Sequence, residues 1–143
     1  MIDAGQHTGL AQQIQNGEVN YAVVFIGVND FAPYSSDGYP AIYDETLSDD
    51  QVSAKVTIVV ENITTAIDTL QQAGEVKILL VKIPDWGNSI SVQQLFPNDE
   101  NRQRVSNAIT STNTKLEEIA QDKNIEIADP NISTVSPLSP TKS

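Results

Sequence analysis

The chain has 143 residues, 39% of them hydrophobic and 19% charged, which suits one globular domain. It contains no cysteine, and this excludes disulfides, thiolate zinc sites and iron–sulfur clusters. The 19 acidic and 8 basic residues give a net charge of −11, which argues against nucleic acid or anionic membranes as partners.

Helical and strand patterns alternate along the chain. Apolar residues recur at three- and four-residue steps in the two longest helical segments, and Ser48 with Gln51 fits a capping box before the first of them. The predicted elements, in chain order, are a helix at 8–16, a strand at 21–26, a helix at 50–73, a strand at 76–83, a helix at 99–122 and a strand at 125–128.

This order predicts an α/β fold with a parallel sheet. The runs at 21–26 and 76–83 are nearly continuous and rich in β-branched residues, as in strands covered on both faces. About three strands with helices on both faces make a thin sheet, so we expect an incomplete three-layer architecture. Residues 1–130 form the predicted domain, and the Ser/Thr/Pro-rich stretch 131–143 is expected to be a flexible tail.

The carboxyl ends of parallel strands are where α/β proteins bind ligands. Here they carry Gly27-Val28-Asn29-Asp30, Pro84-Asp85-Trp86-Gly87 and Asp129-Pro130. The loops that follow the first two strands contain aromatic residues that would line a pocket: Tyr34, Tyr39, Tyr43, Trp86 and Phe96. The structural alternative is that Gly, Asn and Asp serve turn geometry and that Trp86 is a packing residue.

An apolar strand that runs into Gly-x-Asn-Asp, with Ala4-Gly5-x-x-Thr8 upstream, resembles the SGNH or GDSL hydrolase family. The similarity continues through Gly74, the strand at 76–83 and Pro84. Members of this family are serine esterases and lipases on a flavodoxin-like sheet. The resemblance implies an oxyanion hole in which the Asn29 side-chain amide and the Gly5 backbone N–H donate hydrogen bonds.

The chain departs from this family at two of its four catalytic blocks. It has no Gly-Asp-Ser nucleophile block, and Asp129 is followed at the third position by Ile132, where the family has a histidine. The one histidine, His7, is expected to be an exposed residue at a loop or helix start. Both missing blocks would fall beyond the chain ends, so the chain is predicted to hold the oxyanion-hole half and to hydrolyse esters negligibly alone.

The resemblance implies a segment of a serine hydrolase that acts on carboxylic esters, with a small-molecule or lipid ester as substrate once the site is completed. Without the family's first two strands, the strand at 21–26 would be an uncovered edge, which predicts self-association. The alternative is a non-catalytic flavodoxin-like binding or interaction module.

No cofactor motif, phosphate-binding loop or calcium loop occurs. The acidic pairs Asp49-Asp50 and Asp99-Glu100 fall at predicted helix starts, so we interpret them as partners of the helix dipole and not as metal ligands. The sequence predicts no membrane span and has no signal segment at its start, and it leaves the compartment open.

Overall fold

Strands and helices alternate in the computed structural model, which describes residues 5–130. The three strands and five helices of this range are α1 (Gln6–Gln15), β1 (Tyr21–Val24), α2 (Tyr39–Tyr43), α3 (Asp49–Ala73), β2 (Lys77–Val81), α4 (Ile90–Leu95), α5 (Asp99–Lys123) and β3 (Glu126–Ala128). A single 3-10 turn, Trp86–Asn88, lies between β2 and α4. The predicted tail at 131–143 lies outside the described residues.

The three strands form one parallel sheet in the order β1-β2-β3. Tyr21 is paired with Lys77 across the first ladder, and Leu80 is paired with Ile127 across the second. The predicted incomplete α/β architecture with a three-stranded parallel sheet and helices is therefore confirmed. In this sheet β2 is the central strand. Within the described residues β1 is an edge strand, because it pairs with β2 alone.

The two long helices begin where the sequence predicts. At the start of α3, the Gln51 N–H donates to Ser48 Oγ at 3.2 Å, and the Ser48 N–H donates to Gln51 Oε1 at 2.9 Å, which completes the capping box. At the start of α5, Asn98 Oδ1 accepts from the Asn101 N–H at 2.9 Å. The short helices α2 and α4 fall in segments that we predicted as loops.

One face of the sheet is packed against helices. Ala22 and Val24 of β1 and Ile78 and Leu80 of β2 are buried on this face. A Cβ on Gly27, just after β1, would lie 3.1 Å from the Val59 side chain, so α3 approaches the strand end closely. The apolar stripes of α3 and α5 complete the core through Val59, Ile63, Ile67, Leu70, Ile109 and Leu116.

The opposite face of β1 is uncovered. Tyr21, Val23 and Phe25 are 49%, 54% and 48% exposed. The prediction that the strand at 21–26 is covered on both faces is therefore wrong within residues 5–130. The physical reason is the handedness of the connections: right-handed crossovers from β1 to β2 and from β2 to β3 run in one direction, so α3 and α5 lie on the same face.

Helix α1 packs beside α3, and the Ile14 side chain lies 3.3 Å from the position of a Cβ on Gly74. Among residues 5–130, no helix combines the length and apolar character required to cross a membrane.

Candidate functional site

Asn29 lies in a tight turn at the carboxyl end of β1. Gly27 adopts a positive φ of 90°, and its carbonyl accepts the Asp30 N–H at 3.2 Å. The next turn is closed by the Phe31 N–H, which donates to the Val28 carbonyl at 3.2 Å, and the Phe31 side chain is buried. These turns anchor the loop on both sides of Asn29 and leave Asn29 itself exposed.

The Asn29 amide is oriented by Tyr34, five residues later. The Tyr34 hydroxyl donates to Asn29 Oδ1 at 3.0 Å. Since the oxygen accepts this bond, the NH₂ group is the side of the amide left to donate, and no described residue accepts from it. The sequence placed Tyr34 among the aromatic residues expected to line a pocket. It did not predict this hydrogen bond, because no sequence signal indicates that the loop folds back to bring Tyr34 against Asn29.

Gly5 lies at the start of α1 with a positive φ of 72°. Its carbonyl accepts from the Gly9 N–H at 3.1 Å and from the Thr8 hydroxyl at 2.8 Å, so its peptide is fixed by the first turn of the helix. No hydrogen bond joins Gly5 to Asn29 in the described part of the chain. Gly5 and Asn29 are therefore each held in a hydrogen-bonded turn, and no hydrogen bond among residues 5–130 joins the two turns.

His7 is also at the start of α1, as predicted, but it is buried, and the expectation of an exposed side chain is wrong. His7 and Ile14 are seven residues apart and therefore share the helix face that packs inward. No partner for His7 Nδ1 is found among residues 5–130. Nothing in the described contacts connects this imidazole with Asn29.

The pKa of Asp30, next to Asn29, is raised from its ordinary value. The loop around it removes part of its hydration, and this desolvation raises the pKa of its carboxyl above 3.8. The Lys55 charge lowers the pKa, and the Asp37 charge raises it. Desolvation is the largest of these effects, so the ionised form of Asp30 is disfavoured relative to a carboxylate in water.

The aromatic residues of the two loops mostly pack on one another. Tyr39 and Phe96 have ring centroids 4.7 Å apart, and Tyr43 and Phe96 have centroids 4.8 Å apart. The Tyr43 hydroxyl accepts from the Asn98 N–H at 2.9 Å, which ties this cluster to the start of α5. Among the predicted pocket-lining residues, Tyr34 is the strongly exposed one, at 73%.

One acidic residue at the start of each long helix has a basic partner. Asp49 pairs with Arg104 at 2.9 Å, and Asp99 pairs with Arg102 three residues later. The Arg104 guanidinium also donates to the Leu47 carbonyl at 2.6 Å, so it ties α5 to the segment that precedes α3. Between residues 5 and 130, no group of three or more His, Cys, Asp or Glu side chains is arranged to hold a metal ion.

The chemistry available at the end of β1 is that of a hydrogen-bond donor. An amide NH₂ held by a neighbouring hydroxyl is preorganised to donate to an oxygen that gains negative charge. Comparisons with protein-family models, curated proteins and solved structures found no significant match to this chain.

Proposed function

We propose that the chain is a segment of an SGNH/GDSL-type serine hydrolase that acts on carboxylic esters, and that it supplies the oxyanion hole. The observation that carries the proposal is the geometry of Asn29: it follows the glycine turn after β1, it is exposed, and Tyr34 fixes its amide. The parallel order β1-β2-β3 supports it further, because the resemblance implies this order for the family's third to fifth strands.

In this proposal the reaction is acyl transfer. A serine attacks the ester carbonyl, a histidine takes its proton, and the negative charge moves to the carbonyl oxygen. The Asn29 amide and the Gly5 backbone N–H donate to that oxygen, and one such donor is worth about 3 kcal/mol of transition-state stabilisation. The serine and histidine belong to residues outside this chain, so the chain alone is expected to leave p-nitrophenyl acetate intact.

The coding sequence on both sides of this segment provides the first test. We expect a Gly-Asp-Ser run upstream and an Asp-x-x-His run downstream, and a longer chain that includes both should hydrolyse p-nitrophenyl acetate. In that longer chain, Asn29→Ala should lower kcat by about 100-fold or more with little change in KM. Asn62→Ala is the matched control, because Asn62 is exposed on α3.

Two results would contradict the proposal. One is a longer chain with both runs that stays inactive although it is folded. The other is equal activity of Asn29→Ala and Asn62→Ala, since an oxyanion donor has no equivalent on the surface of α3. Turnover of p-nitrophenyl acetate by the present chain would contradict the expectation that it is inactive alone.

The second candidate is a non-catalytic interaction module, and a specific observation favours it. Tyr21 and Val23 are exposed on β1, and Phe25 is exposed just after it; among residues 5–130, β1 is an edge strand without a charged side chain, in a chain of net charge −11. Such an edge is a site for pairing with another strand, including that of a second copy. A stop codon and a promoter at the two ends of this frame, together with a stable complex formed through β1, would favour the module over the hydrolase.

A further inference from the structure

The side of the sheet opposite the helices carries a continuous group of apolar side chains. Val23 of β1 is paired with Leu79 of β2, and paired residues of a parallel ladder point to the same side of the sheet. Tyr21 and Val81 are on this side as well, because side chains alternate along a strand. Tyr21 and Val23 are about half exposed, and Leu79 and Val81 are partly exposed. We call these four residues the open face.

The open face differs from what a parallel sheet normally presents. Parallel sheets occur almost only with both faces covered, because their crossover connections place helices against them. Ala22 and Val24 follow this rule on the helix side, where they are 4% and 1% exposed. On the open side, an apolar cover would remove hydrophobic surface from water, at a gain of about 25 cal/mol per Å². The open face is therefore a surface on which an apolar partner would be stabilised.

The dimensions of the open face favour one helix over a second copy of the chain seated face to face. Adjacent strands lie about 4.8 Å apart, so the three strands span about 10 Å, and the four residues of β1 extend over about 13 Å. One helix of about 10 Å diameter covers this width, and roughly nine of its residues cover the length. A stable dimer buries about 800 Å² on each partner, which is far more than a face of these dimensions provides.

Charge indicates the character of the polar side of such a helix. Lys77 precedes Leu79 by two residues, and Glu126 is paired with Leu79 across the second ladder, so both charged side chains point to the open side. Both are exposed, and neither forms an ion pair within residues 5–130. Since these two charges offset each other, the net charge of −11 decides, and it favours a basic partner and opposes a second copy.

We propose that the open face binds an amphipathic helix of a second polypeptide, with an apolar stripe against Tyr21, Val23, Leu79 and Val81 and basic side chains along its polar side. The inference rests on the interaction-module function and is separate from ester hydrolysis, because no residue of the Asn29 turn takes part. It also differs from strand pairing at the edge of β1, since the contact is made by side chains on the face of the sheet and not by the β1 backbone.

Three labelled synthetic peptides of about 14 residues test the proposal by fluorescence anisotropy on the full chain. The first contains leucine and lysine with the leucines at the helical repeat of about 3.6 residues. The second has the same composition in strict alternation, which favours a strand. The third is the first with every lysine replaced by glutamate. We expect saturable binding of the first peptide, and binding of the other two that is weaker by about tenfold or more.

Two variants locate the contact. Val23→Gln and Leu79→Gln should each weaken binding of the first peptide by about tenfold, because each places a polar amide against the leucine stripe. Val23→Gln should keep the parent melting temperature within a few degrees, since the side chain that it replaces is largely in water. Ile58→Gln is the matched control, because Ile58 is 56% exposed, close to the 54% of Val23, but lies on α3.

Four outcomes would overturn the proposal. Equal binding of the first peptide and either of the other two would show that the helical stripe or the basic charge is not recognised. Tighter binding of the alternating peptide would assign the partner to the β1 edge and would keep the interaction-module function, whereas no saturable binding of any peptide would count against both. A folded Val23→Gln variant that binds the first peptide as tightly as Ile58→Gln would place the contact elsewhere. A dimer in sedimentation that excludes the first peptide would make a second copy the occupant of the open face.

Discussion

Val23 and Val24 are adjacent in β1 and have the same side chain, yet Val23 is 54% exposed and Val24 is 1% exposed. The difference comes from the helices, because α3 and α5 lie on the face to which Val24 points, and within residues 5–130 no helix covers Val23. The comparison shows that an apolar run identifies a strand without identifying how many of its faces are buried.

The largest expected effect comes from placing the same charge on each face. Val24→Asp would bury a carboxylate among the apolar side chains of α3, and we expect it to cost at least about 4 kcal/mol. Val23→Asp leaves its charge in water and should cost less than about 1 kcal/mol. Urea unfolding followed by circular dichroism measures both. Equal losses would show that the two faces are equally buried in solution.

This contrast also separates what the sequence could predict about the fold from what it could not. The capping box of Ser48 and Gln51 and the Asn98 cap are local signals, and both predicted helix starts are confirmed. The cover over β1 is not local, because it depends on which side each crossover takes. The short helix α2 was also missed, since five residues are too few to show helical periodicity.

Two glycine substitutions test how closely α3 packs against the carboxyl end of β1. Gly27 and Gly17 both have a positive φ, but a Cβ on Gly27 would lie 3.1 Å from Val59, and one on Gly17 would have no atom within 4 Å. Gly17→Ala therefore carries only backbone strain, about 1 kcal/mol, whereas Gly27→Ala should cost about 2 to 3 kcal/mol. Thermal melts of the two variants measure the difference. A larger loss for Gly17→Ala would contradict the close packing of α3 on the strand end.

Self-association of the chain tests whether the exposed side of β1 pairs with a second copy. If β1 pairs with a second copy, Val23→Lys should weaken self-association by about tenfold, because a lysine on an edge strand opposes pairing. Ile58→Lys is the matched control, since Ile58 is similarly exposed, at 56%, but lies on α3 and not on β1. Sedimentation equilibrium measures both variants against the parent. A parent chain that stays monomeric would contradict this use of the edge.

At the candidate site, too, features set by neighbouring residues could be predicted from the sequence, and features set by tertiary contacts could not. The glycine turn and the exposure of Asn29 follow from Gly-Val-Asn-Asp at the end of an apolar strand. The role of Tyr34 depends on a contact made only after the loop folds back onto Asn29, and the sequence contains no signal for it. The burial of His7 was missed for the same reason, since it depends on α1 packing beside α3.

The smallest effects concern Asp30 and Asp37, where the same loop shifts the pKa of two carboxyls in opposite directions. Desolvation raises the pKa of Asp30, so its contribution to stability is fully present below its ordinary pKa of 3.8 and is lost as pH rises through the raised value. The Ser35 hydroxyl, which donates to Asp37 Oδ1 at 2.8 Å, lowers the pKa of Asp37. The contribution of Asp37 is therefore present above 3.8 and is lost as pH falls through the lowered value.

Asparagine at each position should then shift stability in opposite directions at neutral pH. Asp30→Asn should raise the free energy of unfolding and Asp37→Asn should lower it, each by no more than about 0.5 kcal/mol. The gain from Asp30→Asn should disappear at a pH well below 3.8, because the parent Asp30 is then protonated in both the folded and unfolded states. Urea unfolding of the two variants and the parent over a pH series measures this. A gain for Asp30→Asn that is independent of pH would mean that desolvation does not act on the charged form of Asp30 in this loop.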